Sequence, residues 1–485
     1  MSIYNPTTLQ ELAVQSLLWN EASTISTLEY LPINLFPSVF KEAFTGRHME
    51  LLKAMVAAWP FSYLPVGTLM KTPDVELLQA VLDGVDILQT QQVRPRCWRL
   101  KVLDLRNMNK DFWDVWSCRD WYSSTETECN TQVCNELRRD LKVVTDLILR
   151  FHLKEHQTCL LQWFQQRKDS VQLCCVKMKI CDFPGETLKE VLDIFLPENI
   201  EELELSTNQV MSFLGHIAPH LGRMTRLRKC RLTHIFVNRN TVVNTLADPE
   251  EMCAVQFLSQ ICKLNSLKHL TMDVVSLSPD HTQLLFGHEL ISFSLLRCLK
   301  TPLESLNISH CHLSQSNLKH FSQCQGLCQL NKLNLTGVVF ARLGVTHLRV
   351  LLENTADTLK TLELVNCRME DYELSALLPA LSLCSQLTTV NFYDNDFSTA
   401  VLKKLLQSMA NLRKMTEEFY PAPLECYDPM GFVLVEEFAQ LCSEFLDILF
   451  AKRQTKTIAF ATIICLECSM RCVYDMEAKL CQCWQ

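Results

Sequence analysis

The chain has 485 residues, 48% of them hydrophobic, which is enough for a sizeable core and too long for one ordinary globular domain unless it is a repeat array. Its 46 basic and 54 acidic residues give a formal net charge of -8 with no long block of either sign, so the clustered Lys and Arg of a nucleic-acid groove are missing and no direct nucleic-acid partner is expected. The 11 glycines form no phosphate-cradling loop of the Walker or dinucleotide kind, which speaks against nucleotide-dependent chemistry.

The opening stretch, MSIYNPTTLQEL, has no basic region leading into an apolar one, so no signal peptide is read. With 24 cysteines scattered over a long chain rather than crowded into a short one, a reducing compartment is expected: the cytoplasm, with the nucleus as a second location. Helical periodicity predicts segments at residues 9–18, 39–44, 49–59 and 75–88, punctuated by Pro32, Pro37, Pro60, Pro65 and Pro73. Residues 1–99 therefore read as a helical module that caps whatever follows. The polar, aperiodic run from Ser117 to Val133 reads as an exposed loop.

From Leu100 the pattern changes to a repeat. Weak units begin at Leu100, Leu173, Ile200, Leu227 and Leu267; strong ones begin at Leu303, Leu330, Leu359, Leu387 and Leu412, 27 to 29 residues apart and 25 for the last step. Each opens as L-x-x-L-x-L, so that Leu306 and Ile308 point to one side of a short strand, and continues into a helical period such as Leu374, Leu377, Leu378 and Leu381. One strand and one helix per unit is the leucine-rich repeat, an α/β solenoid or horseshoe whose units bury their apolar faces only by stacking. Its extent is read as 100–440, with a cap helix and cysteine-containing tail over 441–485. Cys311, Cys367 and Asn395 fall at the turn after the strand, where a small polar side chain satisfies backbone groups. On the opposite, concave side of the strands lie Asn307, Asn334, Glu363, Asn391 and Tyr393, a polar wall suited to holding a protein segment, with Tyr393 its aromatic anchor. Upstream, Glu202 and Glu204 lie beside Lys229 and Arg231, so that sign changes set register.

No catalytic centre is found, and the protein is expected not to be an enzyme. His152, Glu155 and His156 have H-x-x-E-H spacing, but no third ligand or cleft is evident, and a wet helix face is the simpler reading. Three L-x-x-L-L strings, at 348–352, 374–378 and 402–406, lie where repeat helices put core leucines. Cys465 and Cys468 form C-x-x-C, and Cys481 and Cys483 form C-x-C: either one structural zinc in four thiolates or a set of reduced cysteines without any cofactor. The apolar run from Ile458 to Leu466 is too short to span a bilayer, so a soluble chain without a membrane partner is expected.

Long strings then point to a family. LQELAVQSLL from Leu9, YLPINLFPSVFKEAFTGRH from Tyr30, LLKAMVAAWPFSYLPVGTLMK from Leu51, VRPRCWRLKVLDLR from Val93 and the tail ending CQCWQ resemble the PRAME family (preferentially expressed antigen in melanoma), including rodent oogenesin-like members. The resemblance runs over nearly the whole chain. It implies a substrate receptor of a cullin-2 RING ubiquitin ligase joined through elongin B and C, with links to repression of transcription, differentiation and apoptosis and to proliferation. Thr8, Leu9, Ala13 and Leu17 match the family's elongin-binding box with Ala in the Cys place, and Phe36, Pro37, Val39, Phe40 and Phe44 match its cullin-2 box. The same side chains also suit the packed core of a helical cap. Two other readings stay open: a corepressor docking nuclear receptors through L-x-x-L-L, and an F-box-like adaptor for Skp1 built on YLPINLFPSVF.

Overall fold

The structure is a computed structural model. It describes residues 8–90, 99–107, 141–206, 212–234, 256–274 and 301–483 apart from a few single positions, together with Trp113 and Cys253. The loop expected over Ser117–Val133 lies outside the described residues. Contacts divide the chain into two compact units, Met1–Lys179 with Glu186–Ile200, and Ile180–Gly185 with Glu201–Gln485.

The first unit contains α1 (Leu9–Trp19), α2 (Glu21–Ser26), α3 (Phe36–Thr45), α4 (Met49–Ala57) and α5 (Val75–Thr90). Each expected helical segment is present, and each has a local cause. Thr8 and Glu11 close a capping box at the start of α1, while Pro37 occupies the first turn of α3, where its missing N–H has no intrahelical partner to lose. Glu21 caps α4 from a distance, accepting from the Leu51 N–H at 2.9 Å. Gly84 lets α5 approach α4, since a Cβ there would stand 2.7 Å from the Lys53 carbonyl oxygen. The region is not purely helical: β1 (Tyr63–Pro65) pairs in parallel with β2 (Val102–Asp104), which pairs with β3 (Lys142–Arg150), and β4 (Gln172–Cys181) comes next in the chain.

The second unit is a parallel ladder of leucine-rich repeats. It runs through β5 (Glu202–Ser206), β6 (Lys229–Thr233), β7 (His269–Asp273), β8 (Ser305–Ser309), β9 (Lys332–Asn334), β10 (Thr361–Glu363), β11 (Thr389–Asn391), β12 (Glu417–Pro421) and β13 (Thr457–Ala461). Two columns of inward side chains hold it. One is Leu203, Cys230, Leu270, Leu306, Leu333, Leu362 and Val390; the other begins Leu205, Leu232, Met272 and Ile308 and ends in the ring stack Phe392, Tyr420 and Phe460, and all of these are buried. Burying each such side chain contributes roughly 1.5–3 kcal/mol.

The register corrects one expectation. Thr389 pairs with Glu417, so the residue equivalent to Leu387 is Met415 and not Leu412. Leu412 instead closes the turn after the preceding helix, its N–H donating to the Met409 carbonyl, and is buried there. The shift puts Glu418 into the first column between Val390 and Ile458. Its carboxylate is fully buried, accepts the Tyr420 hydroxyl at 2.7 Å and pairs with the buried Arg453 guanidinium at 2.7 Å. The ladder also continues past 440, the end expected for the array: β13 adds a parallel strand, and the antiparallel β14 (Val473–Tyr474) and β15 (Ala478–Lys479) follow it.

Strands β6 to β11 are left in the same way. Asp182, His234, Val274, His310, Gly337, Asn366 and Asp394 all have positive φ, and those from β6 to β11 occupy equivalent register positions. After His310, Asn366 and Asp394 the next residue carries the polar group anticipated from the sequence. The Cys311 thiol donates to the Ser309 carbonyl and the Cys367 thiol to that of Leu335, each at 3.2 Å; the Asn395 amide donates to Leu364 and accepts from the N–H groups of Cys367 and Met369.

Two predictions follow from this packing. Glu418→Ala strands the Arg453 charge and should lower unfolding stability by about 3–5 kcal/mol in urea titration, whereas Glu418→Leu with Arg453→Met and Tyr420→Phe, which removes the hydroxyl that would otherwise lose its acceptor, should be near neutral; equal losses in both would remove the ion pair from the account. Val274, branched at Cβ and held at φ 50°, is strained. Val274→Asn should raise stability by about 1 kcal/mol, read as a higher melting temperature.

Candidate functional site

Helix α1 presents an unusual surface. Val14 is its one buried residue, whereas Leu9 is 87% and Trp19 93% exposed, and Leu12 and Ala13 are exposed too. Helical spacing sets Leu9, Leu12, Ala13, Leu17 and Trp19 over one half of the cylinder, opposite Val14 and Leu18. Of the elongin-box residues, Thr8 caps the helix, Leu9 and Ala13 face outward, and Leu17 is half-buried. Sequence reading missed Leu12 and Trp19, which widen the same face.

The residues matched to the cullin-2 box lie elsewhere in the packing. Phe36, Pro37, Val39, Phe40 and Phe44 are all buried. Phe40 stacks on Trp113 at 5.7 Å and meets Trp59 edge-on at 5.2 Å, and Phe36 meets Trp59 at 6.3 Å. Both indoles are anchored through their N–H groups, Trp59 to the Tyr63 carbonyl at 3.1 Å and Trp113 to the Thr68 hydroxyl at 2.8 Å. These side chains thus form the core of the first unit. Nearby, Tyr30 and Ile33 point outward.

On the second unit, the strand face opposite the leucine columns brings Asn307, Asn334, Glu363 and Asn391 into one row across β8 to β11. Lys332 pairs with Glu363 at 2.6 Å, and the Asn334 amide donates to the same carboxylate. Asn334 and Asn391 each accept the backbone N–H two residues on, from Thr336 and Tyr393. Asn307 differs: its Oδ1 is buried and accepts no hydrogen bond. Upstream the same row carries Glu204 and Arg231, and in the row beside it Lys229 pairs with Glu202 at 2.9 Å.

Tyr393 is not a lone anchor. Its ring meets Phe419 edge-on at 5.7 Å and lies under the Arg471 guanidinium, 5.4 Å from the ring centre. Arg471 in turn grips both carboxylate oxygens of Asp394 at 2.6 and 2.7 Å. Burial pushes the Tyr393 hydroxyl up to about 12. Phe419 and Arg471 escaped sequence reading because the first was out of register with Leu412 taken as the repeat start, and the second arrives from a tail 77 residues away.

The tail cysteines converge. The Sγ atoms of Cys465, Cys468, Cys481 and Cys483 lie within 4.8 Å of one another. The Cys468 thiol is lowered to about 7, chiefly by a hydrogen bond from the Met470 backbone N–H. By contrast, His152 precedes the helix that begins at Glu155, so the H-x-x-E-H spacing is not helical, and burial lowers His156. The leucines of the three L-x-x-L-L strings are buried except Leu378, which is half-buried. Among the described residues no helix is long and apolar enough to cross a membrane.

The chain has relatives that match it over nearly its full length. The family model for the PRAME N-terminal domain matches residues 6–113 and that for the PRAME C-terminal domain residues 141–483. PRAME family member 12 of Homo sapiens is 41% identical over 99% of this chain and 98% of its own length; Oogenesin-3 of Mus musculus is 39% identical over 99% and 94%. Similar solved structures include an internalin from Listeria monocytogenes (12% identical, TM-score 0.30, covering 76% of this chain and 82% of that one) and a leucine-rich-repeat protein from Leptospira interrogans (12%, 0.31, 85% and 97%). With two family models spanning most of its length and relatives matched end to end, the chain belongs to the PRAME family.

Proposed function

We propose that this chain is the substrate-recognition subunit of a cullin-2 and elongin B/C ubiquitin ligase, in which α1 docks on elongin and the repeat strands hold a protein destined for ubiquitin transfer and proteasomal degradation. The observation that carries this reading is the apolar half of α1. A monomeric surface rarely presents Leu9, Leu12 and Trp19 together on one helix face, and such a face is what a partner's groove accepts. Ala13 in place of Cys gives a shallow central contact, so Leu12 and Trp19 supply the remaining apolar area. Because the cullin-2-box phenylalanines are core, they act in this reading by holding α3 in place, and contact with cullin-2 falls to exposed neighbours such as Tyr30 and Ile33.

Catalysis is not asked of this chain. An adaptor raises the rate of ubiquitin transfer by keeping a lysine near the charged E2, which is a gain in effective concentration. A repeat wall whose row is polar between β8 and β11 and charged between β5 and β6 suits a peptide read by hydrogen bonds and by charge register. Links to transcription, differentiation, apoptosis and proliferation follow only through whichever protein is degraded. Nuclear-receptor docking through L-x-x-L-L would first require buried leucines to leave the core.

The experiment is capture of purified elongin B/C with cullin-2, with Skp1 and cullin-1 in parallel. Leu9→Asp with Ala13→Asp should lower elongin capture at least about tenfold, since two docking contacts are replaced by charge, and should leave the melting temperature unchanged because both sites are exposed. Capture of Skp1 instead, or undiminished elongin capture, overturns the reading. For the repeat wall, Glu363→Lys with Tyr393→Ala should abolish recovery of a cross-linked substrate while elongin capture persists. Unchanged recovery moves the binding site off the strand face.

A further inference from the structure

We propose that Cys465, Cys468, Cys481 and Cys483 hold one zinc ion tetrahedrally, and that this ion fixes the hairpin at the end of the repeat ladder and seats Arg471 against Asp394 and Tyr393. The inference is independent of the ligase reading.

Zinc bonded to four thiolates at about 2.3 Å in a tetrahedron keeps its sulfurs about 3.8 Å apart. Here the Cys465 and Cys483 sulfurs are 3.8 Å apart, and all four lie within 4.8 Å of one another. A disulfide requires about 2.05 Å, and all four cysteines are free thiols. Four sulfurs drawn from two segments and converging on one point, with the Glu467 carboxylate at the edge of the group, 3.8 Å from the Cys483 sulfur, form a closed set of thiolates suited to a structural ion rather than to one that binds water.

The backbone supports the same arrangement. A C-x-x-C knuckle needs a tight turn, which glycine usually provides, and none is present in this one. Ser469 supplies it by adopting φ 56°, its N–H donating to the Cys465 carbonyl at 2.9 Å while the Cys465 N–H donates to Met470 at 2.8 Å. The second ligand pair follows β15. Between the two pairs stands a hairpin of two-residue strands, β14 and β15, joined to β13 through Phe460 and Tyr474. Strands that short bury little apolar surface of their own: Cys472 and Cys481 are the buried members of the segment 463–483 among the described residues. Small segments of this kind usually depend on a metal or a disulfide for order, and a bound ion contributes to their folding directly.

Arg471 lies inside the loop that the ion would close, three residues after Cys468. Its reach to Asp394 therefore depends on the position of the knuckle. Asp394 holds the left-handed exit of β11, and Tyr393 lies on the strand face. The ion would thus act at a distance on the surface beside β11, by keeping one cation in place.

The test uses the full chain purified under reducing conditions without chelator. Elemental analysis should find about one zinc per chain, and Cys468→Ser and Cys481→Ser should each bring it to less than about a tenth of that. Cys328→Ser, at an exposed thiol of the repeats, should retain all of it. Cobalt(II) in place of zinc should give the thiolate charge-transfer and ligand-field bands of a tetrahedral site. Removing zinc from the unaltered chain should speed amide exchange across 465–483 at least about tenfold and raise proteolysis there, with the helix and strand amides of 303–409 unaffected. This keeps the idea testable if a serine variant fails to fold. A chain that is metal-free and takes up no added zinc overturns the proposal, as do iron in its place, a Cys465–Cys483 disulfide in the reduced-buffer protein, or serine variants with full zinc content.

Discussion

Strand register is the constraint on which the second unit depends. Side chains alternate along a strand, so every repeat must present the same two positions to the core, and a slip of one residue would exchange the leucine columns for the polar row. Parallel pairing makes this demand collective. Leu306 is held in place because Leu270 and Leu333 occupy the same column on either side. The left-handed residue at the exits of β6 to β11 is part of the same device, since it turns the chain off the ladder at a fixed distance from the columns. Val274 shows how strongly the demand is enforced, for there the register prevails over the preference of a β-branched residue.

The same demand explains why a carboxylate can stand in a column of leucines. At β12 the column position falls to Glu418, and the fold answers with Arg453 and the Tyr420 hydroxyl rather than by slipping the strand. Slipping would expose Tyr420, the middle ring of the Phe392–Tyr420–Phe460 stack. A paired charge in the core is tolerable when its partners are fixed; an exposed aromatic stack is not compensated by anything nearby. The end of the ladder is therefore more polar and more aromatic than its middle, and it is also where Arg471 and the tail hairpin attach.

How much of this could be read in the sequence depends on whether the signal is local. The repeat was legible because L-x-x-L-x-L recurs with near-constant spacing, and so were the turn roles of Cys311, Cys367 and Asn395. Other features depended on partners far along the chain. Leu412 looked like the head of a repeat because it is a leucine followed by a strand-like run; only pairing with Thr389 shows that Met415 holds that place. β3 goes unread although Val143, Leu147 and Leu149 are buried, because the places of Leu103 and Leu105 in the preceding repeat are taken here by Val143 and Thr145, which break the leucine pattern. At the candidate sites, spacing identified the α1 stripe, but it could not distinguish Leu9, which is bare, from Phe40, which is enclosed by two indoles. Both are apolar residues at helical spacing, and only the packing around each one separates a docking face from a core.

The cysteines show the same limit from the chemical side. Composition treats all 24 alike, yet among the described residues their surroundings separate two groups. Cys230, Cys367 and Cys384 stand in or beside the leucine columns, where burial pushes each thiol up to about 12. A thiol that stays protonated is a poor nucleophile and a poor metal ligand, so these act as small apolar fillers; the thiols of Cys367 and Cys384 also donate one weak hydrogen bond to a carbonyl. The tail cysteines occur beyond the last parallel strand, where no repeat remains to enclose them and where four sulfurs meet one another instead of a core. The difference is one of position in the ladder, not of residue type. A leucine-rich repeat supplies a dry interior to the cysteines at its inward positions, and the segment after the final strand, lacking that interior, must obtain its order from side chains that bind to one another or to something held between them.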